Sequence, residues 1–288
     1  MNLLTEIIKF FIYSFAIVII AKYLLVPVLR KLSILLKLGP KAAGNIAGIA
    51  TSVPELLTVS FSAKAGFLDT GIYNVISSNT INIVQYLAAI YLNKNQKYIN
   101  NKAIKIDLFL AIVTIIIPIA IMRLNIQLGM SIVIILVLLL CLFYYINVNA
   151  HKMYLKEEDK EVTEEKQEEY DKYKTKNNKV FKSFFYILSL IFISISLFII
   201  GNLLSDTLTN LSDKFNLPEI LLGIALGIIT SIPELITFIE AQKKGKEGKN
   251  KNDIQLGVIE ATNNLLTSNV LNLFAIQSIG IIIYNIFK

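Results

Sequence analysis

Long apolar runs dominate the chain, and polar residues interrupt them at only a few places. An apolar run of roughly 17 to 25 residues is long enough to cross a bilayer as a helix. Read in order, the runs predict about eight spans, over 7–29, 42–63, 71–92, 104–121, 128–146, 181–203, 217–241 and 262–287. The expected architecture is therefore all-α and polytopic. The third and last spans break the apolar pattern. The third carries Asn74, Ser77, Ser78, Asn79, Asn82 and Gln85, and the last carries Asn263, Asn264, Thr267, Ser268, Asn269, Asn272 and Gln277. So many amides and hydroxyls are costly against lipid, so both helices belong inside the bundle.

The interruptions recur. Ala50-Thr51-Ser52-Val53-Pro54-Glu55-Leu56 returns as Ile229-Thr230-Ser231-Ile232-Pro233-Glu234-Leu235, each inside an apolar stretch and each followed by one of those polar helices. The repeat is thus a two-helix unit. Its first copy opens on the second span and its second on the seventh. An odd offset makes the copies cross the membrane in opposite directions, the pattern of an inverted-topology transporter.

Composition agrees with this reading. The chain has 288 residues, 55% of them apolar and 17% charged, with a mean hydropathy of +0.61. The N-terminal run lacks a preceding basic cluster and a small-residue cleavage site, and reads as a retained helix. A single Cys141 and a single His151 leave no thiolate or imidazole cluster and no nucleophile pair, so enzymatic chemistry is not expected. Cys141 is expected as a buried small hydrophobe.

Charge adds orientation. The formal net charge is +7, and the lysines gather in alternate connections: Arg30, Lys31, Lys37 and Lys41; Lys94, Lys97, Lys102 and Lys105; and Lys243, Lys244, Lys246, Lys249 and Lys251. The positive-inside rule puts these connections in the cytoplasm and the N-terminus outside. Anionic lipid headgroups suit such short basic flanks, and nucleic acid does not. Between the halves, 151–179 is a mixed Lys/Glu segment, expected as a solvated linker. The chain then divides into a first membrane half (1–150, repeat 42–92), the linker, and a second half (180–288, repeat 217–287).

Proline brings no N–H to the helix ladder, so Pro54 and Pro233 leave nearby carbonyls without their usual partners. Those carbonyls, the hydroxyls of Thr51, Ser52, Thr230 and Ser231, and the carboxylates of Glu55 and Glu234 make a hard-oxygen environment suited to calcium or sodium. Asn82 and Asn272 offer amide oxygens from the partner helices. A lone carboxylate in lipid costs on the order of 3 kcal/mol, which favours a functional reading of the two glutamates. Gly44, Gly48, Gly223 and Gly227 precede the breaks at four-residue spacing and permit close helix crossing.

The pattern Gly-x-x-x-Gly-x-x-Thr-Ser-x-Pro-Glu at Gly44 to Glu55 and Gly223 to Glu234, each followed by Ser-Asn-x-x-Asn at Ser78 and Ser268, resembles the two alpha-repeats of the sodium/calcium exchanger superfamily. That resemblance implies a secondary antiporter moving calcium against sodium or protons by alternating access, with no cofactor. It also implies that Glu55 and Glu234 are the central ligands, with Thr51, Ser52, Thr230 and Ser231 beside them. Ser78 and Ser268 complete flanking sites, and Asn82 and Asn272 occupy matching positions on the partner helices. Two departures stand out. Asn272 replaces the Asp typical of sodium/calcium members, and the second repeat is eleven residues longer between its motifs. Family members usually have ten helices, so the last pair is apparently lacking here, and a second copy of the chain becomes one source of the missing contacts. The competing function is a cation channel or a non-transporting cation-binding protein, and the inner membrane of a prokaryote is the expected location.

Overall fold

The computed structural model describes residues 2–25, 27–28, 31, 49, 51–100, 102–124, 129–154, 179–247 and 251–288. Among them are ten α-helices: α1 Leu3–Ile20, α2 Val53–Lys64, α3 Leu68–Leu92, α4 Lys102–Arg123, α5 Met130–Tyr154, α6 Lys179–Thr209, α7 Glu219–Thr230, α8 Ile232–Glu247, α9 Lys251–Val270 and α10 Gln277–Phe287. Short π turns extend α1 (Ala21–Leu25) and α6 (Asn210–Lys214), and a third, Leu271–Ile276, joins α9 to α10.

Six stretches are long and apolar enough to cross a membrane: Leu3–Leu25, Leu68–Leu92, Ile104–Ile121, Phe184–Lys214, Glu219–Lys243 and Gly257–Phe287; Met130–Ile146 is a shorter apolar helix. The protein is an all-α polytopic membrane protein. The expected second span, 42–63, falls only in its latter part on described residues, as α2, and Gly44 and Gly48 lie outside them. The expected linker also lies outside them, except for the end of α5 and the first residue of α6.

Packing puts polar side chains inside beside apolar ones and large apolar side chains outside. Ser, Thr and Asn side chains share the interior with apolar ones, while Phe184, Phe192, Ile195, Leu138 and Tyr144 stand outward on α5 and α6. This is the arrangement lipid selects, since the bilayer solvates apolar surface and leaves polar groups to find one another. Cys141 corrects an expectation, because its side chain is exposed. It lies on the perimeter of α5, where an apolar side chain meets lipid as readily as core.

Two apolar clusters hold the bundle. One joins α3, α4, α5, α8, α9 and α10 through Tyr86, Phe238, Leu265 and Phe274; the other joins α1, α6 and α7 through Ile17, Leu204, Leu208 and Leu226. Between them, α7 lies directly on α3. A Cβ on Gly223 would stand 2.5 Å from the Thr70 carbonyl, and one on Gly227 would stand 2.8 Å from the Asn74 carbonyl. Both positions therefore need glycine for the helices to approach this closely.

The eleven additional residues of the second repeat are also accounted for. α8 has 16 residues where α2 has 12, and the remaining seven lengthen α9 ahead of Ser268. The insertion therefore extends a helical hairpin away from the motifs, and leaves their mutual geometry intact.

Candidate functional site

Both Thr-Ser-x-Pro-Glu motifs break their helices at the same residue. Ser52 adopts φ −85°, ψ 1° and Ser231 adopts φ −80°, ψ 0°, backbone outside the regular helical range at the position where chains often turn. The prolines sit in the first turn of the resumed helices, where a missing N–H costs nothing. Each glutamate follows directly, one turn into its helix, and points into the bundle.

All ten residues singled out from the sequence are buried: Thr51, Ser52, Glu55, Ser78, Asn82, Thr230, Ser231, Glu234, Ser268 and Asn272. The structure brings them together by exchange between repeats. Ser78 Oγ lies 3.4 Å from Glu55 Oε1 and 3.3 Å from Thr230 Oγ1, and the Thr230 hydroxyl also bonds Glu55. In mirror fashion, Ser268 Oγ donates to Glu234 Oε1 at 3.1 Å and lies 3.0 Å from Ser52 Oγ, while the Thr51 hydroxyl bonds Glu234. Each carboxylate is thus held by a serine of its own repeat and a threonine of the other.

Among the described residues no lysine or arginine pairs with Glu55 or Glu234, the ion pair found being Lys9 with Glu6 at 2.8 Å. Among the described residues, the second oxygens, Glu55 Oε2 and Glu234 Oε2, have no donor, and neither do Asn82 Oδ1, Asn272 Oδ1 or the buried Ser231 hydroxyl. Buried acceptors left in this state are costly. Two carboxylate, two amide and one hydroxyl oxygens are hard acceptors, the donor type that calcium and sodium take. Among the described residues no group of three or more His, Cys, Asp or Glu side chains could hold a metal.

The sodium/calcium exchanger protein family model matches residues 7–147 and 185–287, a span that takes in both motifs and both polar helices. The chain belongs to the sodium/calcium exchanger family. It is thus a transporter of the cation-exchanger type, embedded in a membrane. No curated protein and no solved structure is a significant match to the chain.

Residue-by-residue reading of the sequence missed an outer layer around the exchanger motifs. Asn74 Nδ2 donates to Thr58 Oγ1 at 2.6 Å, and Thr58 donates to the carbonyls of Pro54 and Glu55 at 3.0 and 3.1 Å. The second repeat copies this: Asn264 Nδ2 donates to Thr237 Oγ1 at 2.6 Å, and Thr237 donates to the Glu234 carbonyl at 2.8 Å. These bonds tie each glutamate's backbone to the neighbouring polar helix. The duplication itself held the signal, since a threonine stands three residues after each glutamate and an asparagine four before Ser78 and Ser268.

Proposed function

We propose that this exchanger moves calcium against sodium or protons by alternating access, with Glu55 and Glu234 as the central ligands. The observation that carries the reading is a pair of buried carboxylates with no cationic partner among the described residues, on the same helices and polar partners as further buried oxygens without donors. Thr51, Ser52, Thr230, Ser231, Ser78 and Ser268 line the path beside them, and Asn82 and Asn272 complete the central set. Two carboxylates offset one divalent cation or two monovalent ones. The simplest coupling this site supports therefore trades one calcium for two sodium ions or two protons, with no net charge crossing the membrane.

The same charges supply the coupling. Two like carboxylates buried without a cation are costly to seal from water. A cation neutralises them, so the loaded site closes and reopens on the other side more readily than the empty one. Short basic connections, such as those holding Lys94, Lys97 and Lys243, face the cytoplasm in this scheme, with the N-terminus outside.

The test is calcium flux into proteoliposomes holding the purified chain, with sodium and proton gradients imposed separately and the membrane potential clamped. Calcium uptake driven by one opposing gradient, at a rate unaffected by the clamped potential, is the expected result. Uptake without any opposing ion would identify a channel, and a calcium-binding chain that moves none would identify a sensor; either overturns the proposal.

A further inference from the structure

Asn79 and Asn269 each follow a serine of the site by one residue, yet neither takes part in the ligand set described above. Both are buried, and they meet across the boundary between the repeats. Asn79 Nδ2 donates to the Asn269 backbone carbonyl at 3.1 Å, and Asn269 Nδ2 donates to the Asn79 backbone carbonyl at 3.1 Å. Their side-chain oxygens are used in the same crossed manner. Asn272 Nδ2 donates to Asn79 Oδ1 at 3.1 Å, and Asn82 Nδ2 donates to Asn269 Oδ1 at 3.1 Å. Thr114 on α4 adds a further acceptor for Asn79 Nδ2 at 3.3 Å.

A primary amide is planar, with its oxygen and its NH2 on opposite sides. Holding the NH2 of Asn272 against Asn79 therefore turns Asn272 Oδ1 the other way, and Asn82 behaves alike against Asn269. These two oxygens are the ones left without a donor. Rotating either amide by half a turn would set oxygen against oxygen and lose the bond, so the crossed pair selects one orientation. The orienting amides are themselves fixed, because each donates to a backbone carbonyl of the opposite repeat.

We propose that Asn79 and Asn269 are positioning residues: Asn79 aims the amide oxygen of Asn272 at the cation and Asn269 aims that of Asn82. The inference rests on Asn82 and Asn272 being cation ligands, as proposed above. It assigns a specific pairing across repeats, in which Asn79 acts through a residue on the other polar helix and not through Asn82, its neighbour one turn along α3.

Calcium affinity of the purified, detergent-solubilised full chain, titrated with calcium alone, tests this pairing by double-mutant cycles. Loss of a group that orients a metal ligand typically weakens affinity about 10- to 100-fold, and Asn79→Ala is expected to do so. Added to Asn272→Ala, it should change little, within about twofold, because the ligand it orients is gone; added to Asn82→Ala, its effect should persist in full. Asn269→Ala should show the reverse pattern. Equal effects on both backgrounds, or no effect of Asn79→Ala at all, would overturn the inference while leaving the ligand set standing. Unchanged affinity in Asn272→Ala would instead remove Asn272 from the ligand set, and the inference with it. If Asn79→Ala does not fold, Asn79→Ser takes its place in the same cycle, since it keeps a hydroxyl for nearby backbone but cannot reach Asn272.

Discussion

The two repeats carry the same motif, yet the structure uses them differently. In the first, the polar helix α3 is regular from Leu68 to Leu92; in the second, the helix passes into a π turn at Leu271–Ile276 that contains Asn272. Ser52 bonds Ser268, whereas its counterpart Ser231 has a hydroxyl without a partner. Asn74 Oδ1 lies 3.4 Å from both Ser78 Oγ and Thr230 Oγ1, whereas Asn264 Oδ1 has no donor. The same sequence thus meets different surroundings. A π turn widens the helix by one residue per turn and often marks a functional position. The duplication supplies a near-symmetric set of buried oxygens, one carboxylate and one amide oxygen of each repeat standing without a donor among the described residues, while packing leaves the Ser231 hydroxyl and Asn264 Oδ1 of the second repeat without a partner as well.

The largest loss is expected when one glutamate at a time is neutralised. Glu55→Gln and Glu234→Gln preserve volume and remove one charge each. Either is expected to abolish calcium exchange in proteoliposomes while the protein remains folded, because the proposed mechanism needs both carboxylates to hold one cation. Exchange retained by both variants would remove the glutamates from the mechanism. Loss in only one would show that the asymmetry in packing extends to function.

A smaller effect is expected where α7 meets α3. A side chain at Gly227 would collide with the Asn74 carbonyl and the Ser77 side chain, so Gly227→Val must push the helices apart. Overpacking of this kind costs about 1–3 kcal/mol, read as a lower unfolding temperature in detergent. The displaced helix ends in Thr230 and Ser231, so calcium affinity should fall together with stability. Unchanged stability would mean that the two helices part easily here.

The sequence revealed different layers of this molecule to different degrees. The spans were legible because an unbroken apolar run of bilayer length is seldom anything but a membrane helix. The candidate site was legible because a proline-glutamate pair inside such a run is costly and occurs twice. The outward position of Cys141 was not legible. In a helix apolar on every side, core and lipid faces look alike, and periodicity has nothing to distinguish. Nor was the crossed amide pair. Asn79 and Asn82 are neighbours on one helix face, but their partners are set by how α3 crosses the second polar helix, a tertiary fact. The π turn at Asn272 was hidden for a similar reason, since no proline or glycine marks it.

The smallest expected effect isolates the serines at the two breaks. Ser52→Ala removes the bond to Ser268 and should cost about 1 kcal/mol of stability in the absence of calcium, the usual net contribution of one hydrogen bond. Ser231→Ala removes a buried hydroxyl that has no partner, so calcium-free stability should be unchanged or slightly raised. Adding calcium should reverse the contrast. A ligand that binds the folded state raises its stability according to its concentration and dissociation constant. If the Ser231 oxygen faces the cation, calcium will raise the unfolding temperature of Ser231→Ala less than that of the parent. Equal calcium-induced shifts would leave Ser231 as a hydroxyl at a helix break, and would confine the difference between the repeats to packing.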